Sequence, residues 1–253
     1  MKKFAVIFLI LSLVLSLVAC SGSAGEPAAS SAEPAASSAE PAETASRPEA
    51  FSQDEYTLYQ NIFYNGYGPQ FEGKKVEKEG VFVSLVDAYN GVVRNYVWGY
   101  YDQTRCCDWQ WEFVPEDGAV LPANGSLVTV LGTFEADEAA LDGYWITGAQ
   151  VSTKQIYTGE TAEIDMRSMS CTLERVQMYN IMYRSDTFEG REFSAYGRIA
   201  SLDPLKLEDP YYNGSWQNGF SWDGDVPAIG TMVVMHGTVA SGALEADSLE
   251  TSD

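Results

Sequence analysis

The chain has 253 residues, with 15 Lys and Arg against 36 Asp and Glu, a formal charge of −21, and a hydrophobic fraction of 45 % that is ordinary for a globular protein. So large a surplus of carboxylates excludes nucleic acid as a partner, because phosphate binding rests on Lys and Arg neutralising the backbone, and it disfavours attraction to anionic lipid surfaces. One histidine, His236, removes most His-based chemistry, His-rich zinc sites and facial metal triads included.

Lys2 and Lys3 precede an apolar run from Phe4 to Leu17, too short to span a bilayer comfortably and of the right length for a signal-peptide core. The run ends in Leu17-Val18-Ala19-Cys20, which resembles the bacterial lipobox, where small residues before a cysteine admit the peptidase and the thiol receives diacylglycerol. The resemblance implies that residues 1–19 are a lipoprotein signal peptide and that lipidated Cys20 begins the mature chain. It places the protein on the outer face of the bacterial cytoplasmic membrane, with the membrane as a partner through the lipid on Cys20. Residues 21–50 hold only Gly, Ala, Ser, Pro, Glu, Thr and one Arg, with Glu26, Glu33 and Glu40 each ahead of a proline. No register carries a large apolar residue and proline recurs in every repeat, so 20–50 reads as a disordered linker rather than a coiled coil. Extended at roughly 3 Å per residue in its polyproline-like stretches, it reaches several nanometres from the bilayer.

Beyond the linker the chain repeats itself. Asn61-Ile62-Phe63-Tyr64 matches Asn180-Ile181-Met182-Tyr183, and Phe71-Glu72-Gly73 with Gly80 matches Phe188-Glu189-Gly190 with Gly197 at an offset of 117. Trp109-Gln110 and Phe113 match Trp216-Gln217 and Phe220 at 107, and the Pro122 to Thr133 stretch matches Pro227 to Thr238 at 105. Collinear matches with few gaps point to a duplication: a first domain at 51–153, a connector at 154–170, and a second domain at 171–253, each expected to fold alone.

Each half reads as a short helix followed by about five strands. Ser52 with Glu55 makes a capping box, after which Tyr56, Tyr59, Ile62 and Phe63 share a helical face; Val176, Tyr179, Met182 and Tyr183 are the expected face in the second copy. Strands are predicted at Val76 to Val86, Val92 to Tyr101, Trp109 to Phe113, Leu127 to Phe134 and Tyr144 to Val151, with Asn90-Gly91 as a hairpin turn. The second copy has Asp203-Pro204 and Asp209-Pro210 in place of that turn. Five strands in so short a stretch, with glycines at the corners, predict a mostly β protein of two tandem small barrels of the OB kind, each preceded by a short helix. The motifs N-I-x-Y, F-E-G-x6-G, D-x3-C-C-x5-F and P-A-x-G-x2-V-x3-G-T resemble OB-like domains of clostridial lipoproteins, the first bearing a vicinal Cys-Cys, and more distantly the soluble part of some bacterial zinc-stress membrane proteins. The resemblance covers both halves, implies a fold, and brings no activity with it. The second copy departs from it, with Asn213-Gly214 where Cys106-Cys107 stand.

After lipidation of Cys20 three thiols remain, Cys106, Cys107 and Cys171. A bond between the adjacent Cys106 and Cys107 would be strained, since neighbouring Cα atoms lie about 3.8 Å apart, below the usual disulfide range. As metal ligands the pair lacks the two-residue spacer of zinc knuckles, and on a strand the two side chains would point to opposite faces, so Cys106 and Cys107 qualify as ligands for a soft metal such as zinc or copper only on a turn with outside help. Packing, metal contact and redox function all stay open for them. Tyr96, Trp98 and Tyr100 alternate along one strand, and Trp109, Trp111 and Phe113 along the next; Tyr96, Trp98, Trp109 and Trp111 are either a platform for stacking a ligand such as a sugar ring or the filling of a barrel. His236 falls where the first copy has Leu131, a packing position. Gly68 to Lys75 imitates a P-loop but lacks the Ser/Thr and the helix that must follow. Acidic clusters at Glu135 to Asp142 and at Glu208-Asp209 lack a calcium-loop pattern and read as solvated surface. With no hydrolase signature present, the expectation is a lipid-anchored extracytoplasmic binding or accessory protein, not an enzyme and without a resident cofactor, whose partner is a cell-wall component or an envelope protein. The rivals are a thiol-based metal or redox protein using Cys106 and Cys107 and a hydrolase whose paired carboxylates carry no recognisable motif.

Overall fold

The structure, a computed structural model, describes residues 47–159, 164–210, 220–240 and 243–252; Cys20, the signal peptide, nearly all of the linker, and the Asn213-Gly214 and Trp216-Gln217 pairs lie outside them. The first helix, α1 (Gln53–Phe63), begins as the capping signal requires, with Ser52 Oγ accepting from the Glu55 N–H at 3.2 Å. Five strands follow: β1 (Lys75–Val86), β2 (Val93–Tyr100), β3 (Asp108–Pro115), β4 (Leu127–Ala136) and β5 (Tyr144–Gln155). They close into a barrel in the order β1-β2-β3-β5-β4, all pairs antiparallel except β3 with β5.

The second half comprises β6 (Ile164–Asp165), α2 (Cys171–Tyr183), α3 (Ser185–Phe188), β7 (Glu192–Leu202), β8 (Leu205–Glu208), β9 (Phe220–Ser221), β10 (Met232–Ala240) and β11 (Ala243–Thr251). Its pairings reproduce those of the barrel: β7 with β8 and β10, β10 with β11, and β9 parallel to β11. Among the described residues β8 and β9 do not pair, so this sheet stays open where the first closes, and β6 adds a short parallel strand to β7. The protein is mostly β, two OB-like sheets of one connectivity, the first a closed barrel.

The duplication is visible at single hydrogen bonds. Gly73 N–H donates to Phe134 O at 2.8 Å, as Gly190 N–H does to Val239 O, and Gly125 N–H donates to Phe82 O at 2.9 Å, as Gly230 N–H does to Ile199 O at 2.8 Å. All four glycines have φ between 75° and 89°, a region closed to most side chains, which is why these landmarks recur in the sequence.

Inward side chains of the first barrel, among them Phe82, Val97, Trp109, Trp111, Phe113, Val130 and Phe134, form one core, and α1 seals it by placing Tyr59 and Phe63 against Trp111. The other core is shared. Val81, Val83 and Leu85 of β1 with Tyr96, Trp98 and Tyr100 of β2 point outward from the barrel and are buried in a cluster with Phe193, Ala195 and Ile199 of β7, Val233 and Met235 of β10, and α2. The outer face of the β1–β2 hairpin thus forms a wall of the second half's interior. The expected buried face of α2 needs correction: Tyr179 and Tyr183 are exposed, and Leu173, Met178 and Ile181 are buried. Met178 and Ile181 are the equivalents of Tyr59 and Ile62 when the two Asn-Ile-x-Tyr motifs are superposed. Gln177 and Asn180 are buried too, because α2 is packed by both halves rather than by one barrel mouth.

Candidate functional site

Polar contacts tie the halves together along α2 and the chain before it. Asp108 of β3 accepts from the Thr172 N–H at 3.0 Å and from its hydroxyl at 2.9 Å, placing a carboxylate at the α2 N-terminus; Trp98 Nε1–H donates to Ser168 O at 3.1 Å. Concave features open along this seam, and two of them bring candidate residues together.

The first holds the vicinal cysteines, which lie in the β2–β3 loop and not on a strand. Asp102 Oδ1 accepts from the Thr104 N–H at 2.9 Å, Arg105 follows with φ 54°, and Tyr101 N–H donates to Cys107 O at 2.8 Å. This left-handed turn removes the strand alternation, so both thiols fall on one side, with the Sγ atoms 3.4 Å apart. Cys106 is exposed and Cys107 half-buried. Contact with the Cys106 thiol raises the Cys107 pKa above the ordinary thiol value, although a hydrogen bond with Tyr56 pulls the other way; Tyr56 itself is pushed up to about 12, chiefly by that bond. A cleft of about 270 Å³ opens beside the thiols between α1 and the α2 N-terminus, with Gln60, Asp108 and Arg175 on its walls. Cys171 is buried apart from the pair, 3.9 Å from the Tyr100 hydroxyl, and burial pushes its thiol up to about 12. Among the described residues no three His, Cys, Asp or Glu side chains converge on a point that would hold a metal ion.

Tyr96, Trp98, Trp109 and Trp111 are interior residues, each at most 1 % exposed. The alternation divides them between two cores: Trp109 and Trp111 fill the barrel, where Lys78 Nζ sits 4.3 Å over the Trp111 ring, while Tyr96 and Trp98 face the second half. No ring of the four offers a solvent face broad enough to stack a sugar. Trp98 alone reaches a cavity. His236 lies half-buried on β10, in register with Ser194 and Ser248.

That cavity is the second concave feature, about 440 Å³ between the halves and of small-molecule size. Trp98, Tyr100, Met169 and Tyr196 supply its apolar wall, and Arg47, Arg105 and Arg167 its charge. Arg47 donates to Met169 O at 3.2 Å and lies 5.8 Å over the Trp98 ring; Arg105 pairs with Glu49, and Arg167 with Asp165 at 2.9 Å. Glu174 of α2 completes the lining with a carboxyl only 3 % exposed, whose Oε1 has no hydrogen-bond partner among the described residues. Its pKa stands well above the carboxylate range, first because of burial and next because of Asp209, with Arg47 and the Tyr196 backbone N–H opposing. None of these polar residues is marked by sequence motif. The available signal was scarcity: Arg47 is the one cation in an acidic linker, and three of the chain's fifteen cations meet here.

No protein-family model matches the chain, and no curated protein does. Among solved structures it is similar to asparaginyl-tRNA synthetase from Pyrococcus horikoshii, at 18 % identity over 44 % of this chain and 24 % of that one, with a TM-score of 0.26. The same enzyme complexed with asparaginyl-adenylate matches at 20 % identity over 38 % and 22 % of the two chains, also with a TM-score of 0.26. The chain spans about a quarter of the length of those structures, and a likeness at that score bears on neither mechanism nor ligand.

Proposed function

We propose that the protein is a lipid-anchored, extracytoplasmic binding or accessory protein of the clostridial lipoprotein type, without catalytic activity of its own, whose binding site is the cavity between its two OB-like halves. The observation that carries this is the 440 Å³ cavity itself, apolar on one wall and lined by side chains held in place by partners from both halves. The lipobox-like end of the apolar run and the acidic linker support the anchoring. NMR of the mature chain with a library of small fragments tests the site: saturable shifts clustered on the Trp98 indole and the Tyr196 amide support the reading, and shifts confined to the outer surface argue against it.

A second reading has its own observation, the two thiols 3.4 Å apart on an exposed loop. As thiolates, Cys106 and Cys107 would grip a soft metal such as zinc or copper with further ligands from a partner or solvent. Titration of the reduced protein with Cu(I), watching thiolate-to-metal absorption and proton release, separates the readings. Absorption that survives in the Cys106→Ser/Cys107→Ser variant would place any metal elsewhere.

A further inference from the structure

The chemistry of the cavity lining narrows what fits it. Three guanidinium groups line the cavity, Arg105 paired with Glu49 and Arg167 with Asp165, and Glu174 adds a buried carboxyl, in a chain otherwise dominated by acids. A bare inorganic anion among the arginines would leave most of the 440 Å³, and the half-buried Tyr196 on its wall, unfilled. What matches both walls is a molecule with an anionic head and an apolar body.

Resting on the reading of this cavity as the binding site, we propose that its ligand is a small organic carboxylate, the anionic end set among Arg47, Arg105 and Arg167 and the apolar end against Tyr196. A second, independent observation points into the same space. Glu174 is 97 % buried and its Oε1 is unpartnered, which in an occupied cavity is a group awaiting a hydrogen bond. As a neutral carboxylic acid it offers an O–H donor to a carboxylate, where an ionised one would repel it. The arginines are fixed before any ligand arrives, Arg47 by Met169 O and the Trp98 ring, Arg105 by Glu49 and Arg167 by Asp165, so little side-chain entropy is lost on binding. Arg47 and Glu49 belong to the segment entering from the linker, where Ser52 N–H donates to Tyr100 O and Tyr100 N–H to Ala50 O at 2.9 Å each, so the incoming chain builds one wall of the site.

The test uses phenylacetate as probe, with phenylacetamide and inorganic phosphate as comparisons, titrated calorimetrically into the mature chain and followed at the Trp98 indole by NMR. Phenylacetate should bind saturably, and about tenfold or more tighter than either comparison. Arg47→Gln, at the edge of the fold, should weaken phenylacetate about tenfold while leaving phenylacetamide unchanged; Glu174→Gln, which keeps the shape and donor of the neutral acid, should bind it within about twofold of wild type. Equal affinity for acid and amide overturns the carboxylate assignment and leaves the cavity as a binding site. Phosphate binding as tight as phenylacetate overturns the apolar half of the proposal. If no probe binds at millimolar concentration while fragments still shift Trp98, this inference fails and the reading beneath it stands; if nothing shifts Trp98, both fail.

Discussion

Glu174 and Cys107 are two residues whose protonation the fold alters in a way that experiment can read. Glu174 is held neutral by burial and by Asp209 and Asp165, against Arg47 and the Tyr196 N–H. The unfolded chain releases that proton above about pH 4.3, the folded chain only at a higher pH. The unfolded state therefore gains about 1.4 kcal/mol per pH unit between the two pKa values, and this group's contribution, whole below the unfolded pKa, is lost as pH rises. Glu174→Gln, isosteric with the neutral acid, should match wild type in urea unfolding near pH 4.5 and be the more stable of the two near pH 7.5. Parallel stability curves would show that Glu174 ionises without cost. At the thiol loop, Tyr56→Phe removes the bond that favours the Cys107 thiolate, so Cys107 should react several-fold more slowly with a disulfide reagent at neutral pH. With Cys20→Ser, two thiols should react in the native protein and the third, Cys171, only after denaturant is added.

At the scale of elements, the β1–β2 hairpin serves two cores at once. Its alternation puts Phe82 and Val97 inside the barrel and Val81, Val83, Tyr96 and Trp98 against the second half, so neither face meets solvent along most of its length. Each large side chain so buried contributes about 1.5–3 kcal/mol. A fragment of residues 164–253 loses all of that wall, as well as the Asp108 carboxylate at the α2 N-terminus. It should melt without a cooperative transition, whereas 47–159, whose barrel closes on itself, should melt cooperatively while exposing an apolar patch that promotes association. Calorimetry of the two fragments checks both; cooperative melting of 164–253 would show that its open sheet is self-sufficient. Trp98→Ala in the whole chain should cost about 3–5 kcal/mol, and because the indole N–H holds Ser168 O, it should loosen the 164–170 segment as seen by hydrogen exchange.

For the whole molecule, the two OB-like halves would be carried by a linker of some thirty residues ending at a lipid. Two or three acyl chains give stable attachment where one is marginal, so Cys20→Ser expressed in a bacterium should move the protein from the detergent phase to the aqueous phase, or leave it unprocessed. An unchanged distribution would remove the lipid anchor. Because Arg47 and Glu49 line the cavity, the end of that linker and the site are physically continuous, and shortening it close to residue 47 should affect ligand binding before it affects stability.

Sequence alone determined the architecture, for reasons that are local. Glycines at 73, 125, 190 and 230 occupy a backbone region that side chains avoid, and the strand alternation and the Ser52 cap are short-range rules, so the duplication, the strand positions of the first half and the first helix were legible. The partition of the aromatics was half legible: period two shows that Tyr96 and Trp98 share a face, and says nothing of what covers it. Only the tertiary structure decided that the cover is the second half, that α2 turns Met178 and Ile181 rather than Tyr179 inward, and that a left-handed Arg105 brings two adjacent thiols to one side. The cavity was invisible for the same reason. Arg47, Arg105, Arg167 and Glu174 are distant in sequence and carry no motif, and they meet because two copies of one fold pack through a hairpin that the second copy cannot replace.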